Sequence, residues 1–279
     1  DGERLRDVRK RTNVLPLGAG ALAGTGHAID RRLVAKKLGF DSVAQNSMDA
    51  VSDRDWALDF LFVTARIGVH LSRLAEDLVL FASKEFGFLR LSDGYSTGSS
   101  LMPQKRNPDV AELVRGQSGR LVGNLMTLLT VLKGLPTGFN RDLQDDKRTL
   151  FDSVDTLMVV LPAVAGAVRG AELRLDRIAA VLDPLLLATD LADYLVRTGV
   201  PFREAHQVLA RIVRVAEDRG MALDELPFEV FQEAHPAFGR DVLNVFSWEA
   251  AVEARKASGG TARSAVTEQM SRAADRLGR

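Results

Sequence analysis

The sequence predicts an all-α protein: a bundle of long helices followed by a smaller region of short ones. Three observations carry this. Apolar residues recur at helical spacing through most of the chain, and no segment shows the alternation of a half-buried strand. After Arg174 the texture changes, with breakers at Pro184, Pro201, Gly220, Pro227 and Pro236. There is no internal repeat. A boundary is therefore placed near residue 180, giving a helical-bundle domain over 1–180 and a small helical domain over 181–279.

The elements follow in order. The opening Asp1-Gly2-Glu3-Arg4-Leu5 lacks an initiator Met and has the pattern of a helix already under way, so the chain is expected to be part of a larger protein. A long helix is predicted over about 49–84, carrying Trp56, Phe60, Leu61, Ile67, Leu71 and Leu78. Its apolar residues exceed one stripe, the mark of a helix buried among others. At 1.5 Å per residue it spans roughly 50 Å. A second helix is predicted from Pro108 to about Lys133, with Asn107 as its cap and Asp109 at its positive end. A third runs from about Leu150 to Glu172, and Pro162 is expected to bend or break it. Further on, the segment 200–206 turns into a helix, and Gly259-Gly260 precedes a last amphipathic helix ending at Arg279. Bundle helices with such wide apolar surface are expected to bury it between subunits.

Composition narrows the function classes. Lys+Arg and Asp+Glu both number 37 in 279 residues, so no net charge draws the chain to nucleic acid or an acidic membrane. The absence of cysteine excludes disulfides, thiolate metal sites and cysteine nucleophiles. It fits a cytoplasmic location, as does the lack of an uninterrupted apolar run long enough for a membrane span. No clustered His, Asp and Glu set suggests a metal, and Asp145-Asp146 has the look of a surface pair on a helix. Gly18-Ala19-Gly20-Ala21-Leu22-Ala23 fits a dinucleotide-binding pattern, but that pattern needs a strand before it and a helix opening on the glycines. Pro16 interrupts the preceding run, so no nucleotide cofactor is expected.

The sharpest feature lies between Gly94 and Pro108. A Gly/Ser stretch, Gly94-Tyr95-Ser96-Thr97-Gly98-Ser99-Ser100, leads into Leu101-Met102-Pro103-Gln104-Lys105-Arg106-Asn107-Pro108. By composition alone this is a solvated linker before a capped helix. The functional alternative is an anion site, with helix N-terminal N–H groups, Lys105 and the Asn107 amide around a carboxylate and a serine beside them.

The order of residues decides between the two. The run from Gly98 to Pro108 resembles the signature of the fumarase/aspartase superfamily, lyases that release fumarate from succinyl compounds. The segments 13–25, 46–55 and 141–147 and the stretch Gly259-Gly260-Thr261-Ala262 resemble argininosuccinate lyases within it. The resemblance implies that superfamily's central helical bundle and an elimination without cofactor or metal. A base removes a proton beside a carboxylate, charge spreads into that carboxylate, and the carbon–nitrogen bond breaks.

By resemblance, Ser99 is the base, its oxyanion stabilised by Lys105 and backbone dipoles. Ser100 and Asn107 face substrate. Glu112 supports a histidine of a neighbouring subunit; otherwise it pairs with Arg115 one turn along. Gln144 and Lys147, three apart and so on one helical face, bind substrate. Arg54 belongs to the active-site region or else pairs with nearby aspartates. The substrate implied is argininosuccinate, the products arginine and fumarate, and the assembly a homotetramer with shared sites.

Two positions depart from the family's pattern. Phe139 stands where a substrate-contacting Tyr is usual, which keeps another N-substituted aspartate open as substrate. The family's acid histidine lies in a Thr-His segment that these residues do not contain; His27, His70, His206 and His235 all lack that context. The 279 residues alone are therefore expected to have little lyase activity. A non-catalytic, crystallin-like role is the remaining alternative, against which the intact serine run argues.

Overall fold

The computed structural model describes residues 1–98, 100–102 and 105–278 and is 66% helical. The chain divides into two compact units, Asp1–Arg177 and Ile178–Arg279.

The first unit is built on three long helices: α4 (Asp55–Ala82), α5 (Asp109–Leu132) and α6 (Asp146–Arg169). Three shorter ones precede them: α1 (Gly2–Thr12), α2 (Arg31–Leu38) and α3 (Ser47–Ser52). Packing fixes their directions. Leu61 near the start of α4 packs with Leu128 near the end of α5 and with Leu150 near the start of α6. At the other end, Ala75 of α4 meets Ala111 and Val114 of α5 and Val160 and Val164 of α6. So α5 runs antiparallel to both neighbours. Midway, Gly68 lets α4 approach α5 closely, since a Cβ there would stand 2.9 Å from Leu121 Cδ1 and 3.3 Å from Ser118 Cα. Val8 of α1 closes the middle layer against Val63, Ile67, Leu121 and Leu157.

Several expectations change. The long helix predicted over 49–84 is two helices, α3 and α4, interrupted at Asp53-Arg54. Arg54 has φ −138° and ψ 16°, outside the helical well, and Asp53 Oδ1 accepts from the Asp55 amide at 2.8 Å. The third helix begins at Asp146 instead of Leu150, after a 3₁₀ turn over Arg141–Asp145. It continues through Pro162 without a break. Proline has no N–H to give the Met158 carbonyl one turn back. Met158 is 71% exposed, so water can serve that carbonyl.

Among the described residues, strands form three two-residue pairs, too short for alternation to show in sequence. β1 (Val14–Leu15) pairs in parallel with β2 (Ser42–Val43). β3 (Leu89–Arg90) and β4 (Thr97–Gly98) pair antiparallel with β6 (Glu172–Leu173) and β5 (Arg106–Asn107) respectively. The glycine pattern at 18–23 has a structural cause. Arg31 donates to the carbonyls of Leu17 at 2.8 Å, Ala44 at 3.1 Å and Pro16 at 3.4 Å. Gly18, at φ +92°, leaves room for that side chain. The next helix, α2, opens at Arg31 and is capped by Asp30, so no helix starts on the glycines.

Arg141–Arg169 is long and apolar enough, by length and mean hydropathy, to cross a bilayer, although no uninterrupted apolar run is present.

In the second unit, α8 (Ala188–Arg197) and α9 (Phe202–Arg219) form a helical pair. Leu191, Leu195, Ile212, Phe231 and Val242 fill its core. Helices α10 (Phe228–Ala234), α11 (Trp248–Glu253) and α12 (Arg263–Arg276) complete it; α7 (Leu175–Ala179) spans the join in sequence. The Tyr194 hydroxyl donates to Asp241 Oδ1 at 2.7 Å and accepts from the Gly239 amide at 3.1 Å. Arg255 pairs with the buried Asp190.

Candidate active site

The predicted site residues fall at the two ends of the bundle. One group surrounds the hairpin between α4 and α5. β4 and β5 align Thr97 with Asn107 and Gly98 with Arg106, so the intervening segment, 99–105, is closed at its base. Two side-chain bonds brace that base: Thr97 Oγ1 donates to Asp109, and Arg106 donates to Asp93. Tyr95, just before β4, seats its ring on α6 at Gly166, where a Cβ would overlap the phenol.

Ser99 lies outside the described residues. Ser100 is exposed. The Lys105 amide donates to the Met102 carbonyl at 2.9 Å, and its side chain is exposed with no ion-pair partner among the described residues. Asn107 does not cap α5. Its ladder pairing with Thr97 holds it extended, and Pro108 takes the cap position without a side-chain hydrogen bond. Glu112 sits exposed on the first turn of α5. Its alternative partner Arg115 instead reaches across to Glu76 of α4 at 2.6 Å. This end of the bundle therefore offers an ammonium, an amide, a hydroxyl and a carboxylate, with no ion pair to Lys105 or Glu112 among the described residues.

The other group lies at the far end of α5. Phe139 is 53% exposed in the loop after that helix. Gln144 is exposed in the 3₁₀ turn, and Lys147 follows on the first turn of α6. Arg54, at the start of α4, bonds to Asp146 beside Lys147: its Nε donates to Asp146 Oδ2 at 2.5 Å, and its Nη1 donates to the carbonyls of Asp53 at 2.6 Å and Val51 at 3.3 Å. Lys147 Nζ donates to the second oxygen, Asp146 Oδ1, at 2.8 Å.

Asp146 corrects the reading of Asp145-Asp146 as a surface pair: it is only 3% exposed. Burial pushes its carboxyl up, but hydrogen bonds and charges from Lys147 and Arg54 outweigh this and hold it below the usual carboxylate range. Nothing in the local spacing marks Asp146 as buried. The available signal was the pair of cations, Arg54 and Lys147, that a buried carboxylate requires.

One chain does not bring the two groups together. Hairpin and turn are separated by the 24 residues of α5, roughly 36 Å. Two histidines of this unit also stay apart from the hairpin's bonding: His27 is in an exposed loop, and His70 of α4 bonds Asp1 at 2.8 Å. Among the described residues no group of His, Cys, Asp and Glu could hold a metal ion.

Comparison with known proteins matches both ends of the chain. Residues 1–123 match a lyase family model, and residues 185–253 match the argininosuccinate lyase C-terminal model. A curated argininosuccinate lyase of Roseiflexus castenholzii is 57% identical over 278 residues, which is 100% of this chain and 61% of that protein. That of Herpetosiphon aurantiacus is 55% identical over 270 residues, covering 97% of this chain and 59% of the relative. Among solved structures, an EDDS lyase variant with bound fumarate is 29% identical with a TM-score of 0.88, over 99% of this chain and 57% of that one. The chain thus spans about three fifths of the length of these relatives. It is similar along nearly its whole length to lyases of the fumarase/aspartase superfamily, and its residues 185–253 match the argininosuccinate lyase C-terminal region.

Proposed function

We propose that this chain serves an argininosuccinate lyase, which eliminates fumarate from argininosuccinate and releases arginine, reversibly, in cytoplasmic arginine biosynthesis. The observation that carries the reading is the run Gly98–Pro108, in which Gly98 pairs with Arg106 in a braced two-residue ladder, in a chain more than half identical to curated argininosuccinate lyases. Ser99 takes the carbon-bound proton. Lys105 stabilises both the serine oxyanion and the doubly charged carboxylate. Glu112 supports an acid histidine supplied from outside these residues. Ser100, Asn107, Gln144, Lys147 and Phe139 line the substrate, and Arg54 belongs to the same region, paired with Asp146. No cofactor or metal takes part.

Each active site is completed by more than one copy. The separation of the hairpin from Gln144 and Lys147 supports this, because a small-molecule substrate much shorter than α5 cannot touch both its ends. The surface of the bundle supports it as well. On α5 and α6, Leu113 (64%), Phe151 (59%), Met158 (71%) and Val159 (70%) stand exposed. A groove of about 420 Å³ on the same two helices is lined by Leu113, Val114, Val159 and Val160, with Arg120, Asp152 and Asp155 also on its wall. Apolar surface of this extent marks an interface, and a homotetramer of bundles buries it. It also accounts for the apolar face of Arg141–Arg169 without a membrane.

The test is direct. The full-length protein, supplied with argininosuccinate, produces fumarate measurable by ultraviolet absorbance. No fumarate from an intact, assembled protein would overturn the assignment. A second reading, a lyase for another N-substituted aspartate, is favoured by Phe139 and by the likeness to EDDS lyase. Comparing kcat/KM on such substrates separates the two.

A further inference from the structure

We propose that Asp146 is a positioning residue for substrate binding, one that sets the Lys147 ammonium through a carboxylate shared with Arg54. The proposal rests on the reading of Lys147 as a substrate-binding residue. Its basis is geometric. Both Asp146 oxygens are used, Oδ2 by Arg54 Nε at 2.5 Å and Oδ1 by Lys147 Nζ at 2.8 Å. The two cations differ in character. Arg54 is fixed: its side chain is 13% exposed, and Nη1 is tied to two backbone carbonyls at the junction of α3 and α4. The Lys147 side chain is 61% exposed, long and rotamer-rich. Asp146 couples the free amine to the fixed guanidinium, across the join between α4 and α6.

Electrostatics favour the same arrangement. One carboxylate between two cations leaves a net single positive charge facing solvent at Lys147. That charge attracts a substrate carboxylate while the buried anion stays compensated. Asp146 itself, 3% exposed, does not reach substrate. Without the shared carboxylate the ammonium would have to be ordered by the substrate, at a cost in affinity.

The experiment is a double-mutant comparison in the full-length assembled enzyme, reading kcat and KM for argininosuccinate. Asp146→Asn keeps the shape but turns an N–H₂ toward one cation. Lys147→Met is expected to raise KM about tenfold or more, the scale of a lost charged hydrogen bond. Asp146→Asn is expected to raise KM comparably with a smaller change in kcat. In the Lys147→Met background, Asp146→Asn is expected to raise KM less than about twofold, because the two act through one contact. Asp146→Glu should recover part of the affinity.

A residue that only holds the fold together would give multiplying KM effects, and that result would overturn the proposal while leaving Lys147 as a substrate ligand. An unchanged KM in Lys147→Met would overturn the substrate reading itself, and the proposal with it. If Asp146→Asn does not assemble, Arg54→Lys carries the same comparison with a cation retained. Failure of both to assemble would assign the group to the fold and contradict the positioning role.

Discussion

Arg54 and Asp146, 92 positions apart in sequence, meet at 2.5 Å and tie the start of α4 to the start of α6. The bond lies where the long helix expected over 49–84 is interrupted at Asp53-Arg54 and where α6 begins. A buried carboxylate needs its cations.

Acid should release this tie. The Asp146 pKa lies below its ordinary 3.8: burial opposes the charged form, but Lys147 and Arg54 overcome it. A depressed carboxylate stabilises the native state fully above the unfolded pKa, and the benefit is lost as pH falls through the native value. Arg54→Met leaves the anion buried with one partner and should cost roughly 3–5 kcal/mol at neutral pH. Urea midpoints from pH 7 to pH 3 check this, as a gap between wild type and variant that narrows on acidification. A gap independent of pH would contradict it.

The seat of Tyr95 on α6 gives a second expectation. A Cβ at Gly166 would overlap the Tyr95 ring, so Gly166→Ala must push the ring off the helix. The cost should be about 1–3 kcal/mol, the scale of overpacking. Because Tyr95 leads directly into β4, turnover should fall too. Tyr95→Ala in the same chain removes the overlap, and melting temperatures of the single and double variants should show recovery. Equal losses in both would contradict the contact.

Phe139 tests substrate fit. It is 53% exposed, so a hydroxyl can be added without crowding, and Phe139→Tyr should leave stability within about 0.5 kcal/mol. If the missing phenol oxygen belongs on argininosuccinate, KM should fall about two- to tenfold, the value of one ordinary hydrogen bond. A rise in KM would favour the alternative N-substituted aspartates.

The adjacent serines should behave differently. Ser99→Ala should abolish turnover with substrate affinity and assembly retained, since its interaction belongs to the transition state. Ser100→Ala should be milder. Stopped-assay fumarate formation and equilibrium substrate binding read both. Equal, mild effects would mean the loop supplies no base.

Sequence and structure agree where a feature is long or locally coded. The three bundle helices are visible because their apolar spacing persists over many turns, and the run from Gly98 to Pro108 is visible as a motif. Partners distant in sequence are not. Asp146 looks like half of a surface pair until Arg54 is placed beside it. Asn107 satisfies every local rule for a helix cap, yet a two-residue ladder with Thr97 holds it extended. Arg115 stands at the right spacing for Glu112 and chooses Glu76 on α4. The hairpin and the Gln144–Lys147 turn both resemble pieces of one site, and only the antiparallel run of α5 places them at opposite ends.

That separation is the centre of the account, and mixed assemblies test it most directly. Full-length Ser99→Ala subunits, inactive alone, and Lys147→Met subunits, assayed at argininosuccinate well below their raised KM so that alone they run at about a tenth of the wild-type rate or less, are unfolded together, refolded together and assayed for fumarate release. If the hairpin and the turn of one site come from different copies, some sites in the mixed assemblies receive an intact hairpin and an intact turn. Activity should then rise well above that of either parent. If co-assembly is verified and activity stays at the level of the parents, each site draws both groups from one chain, and the shared-site account is wrong.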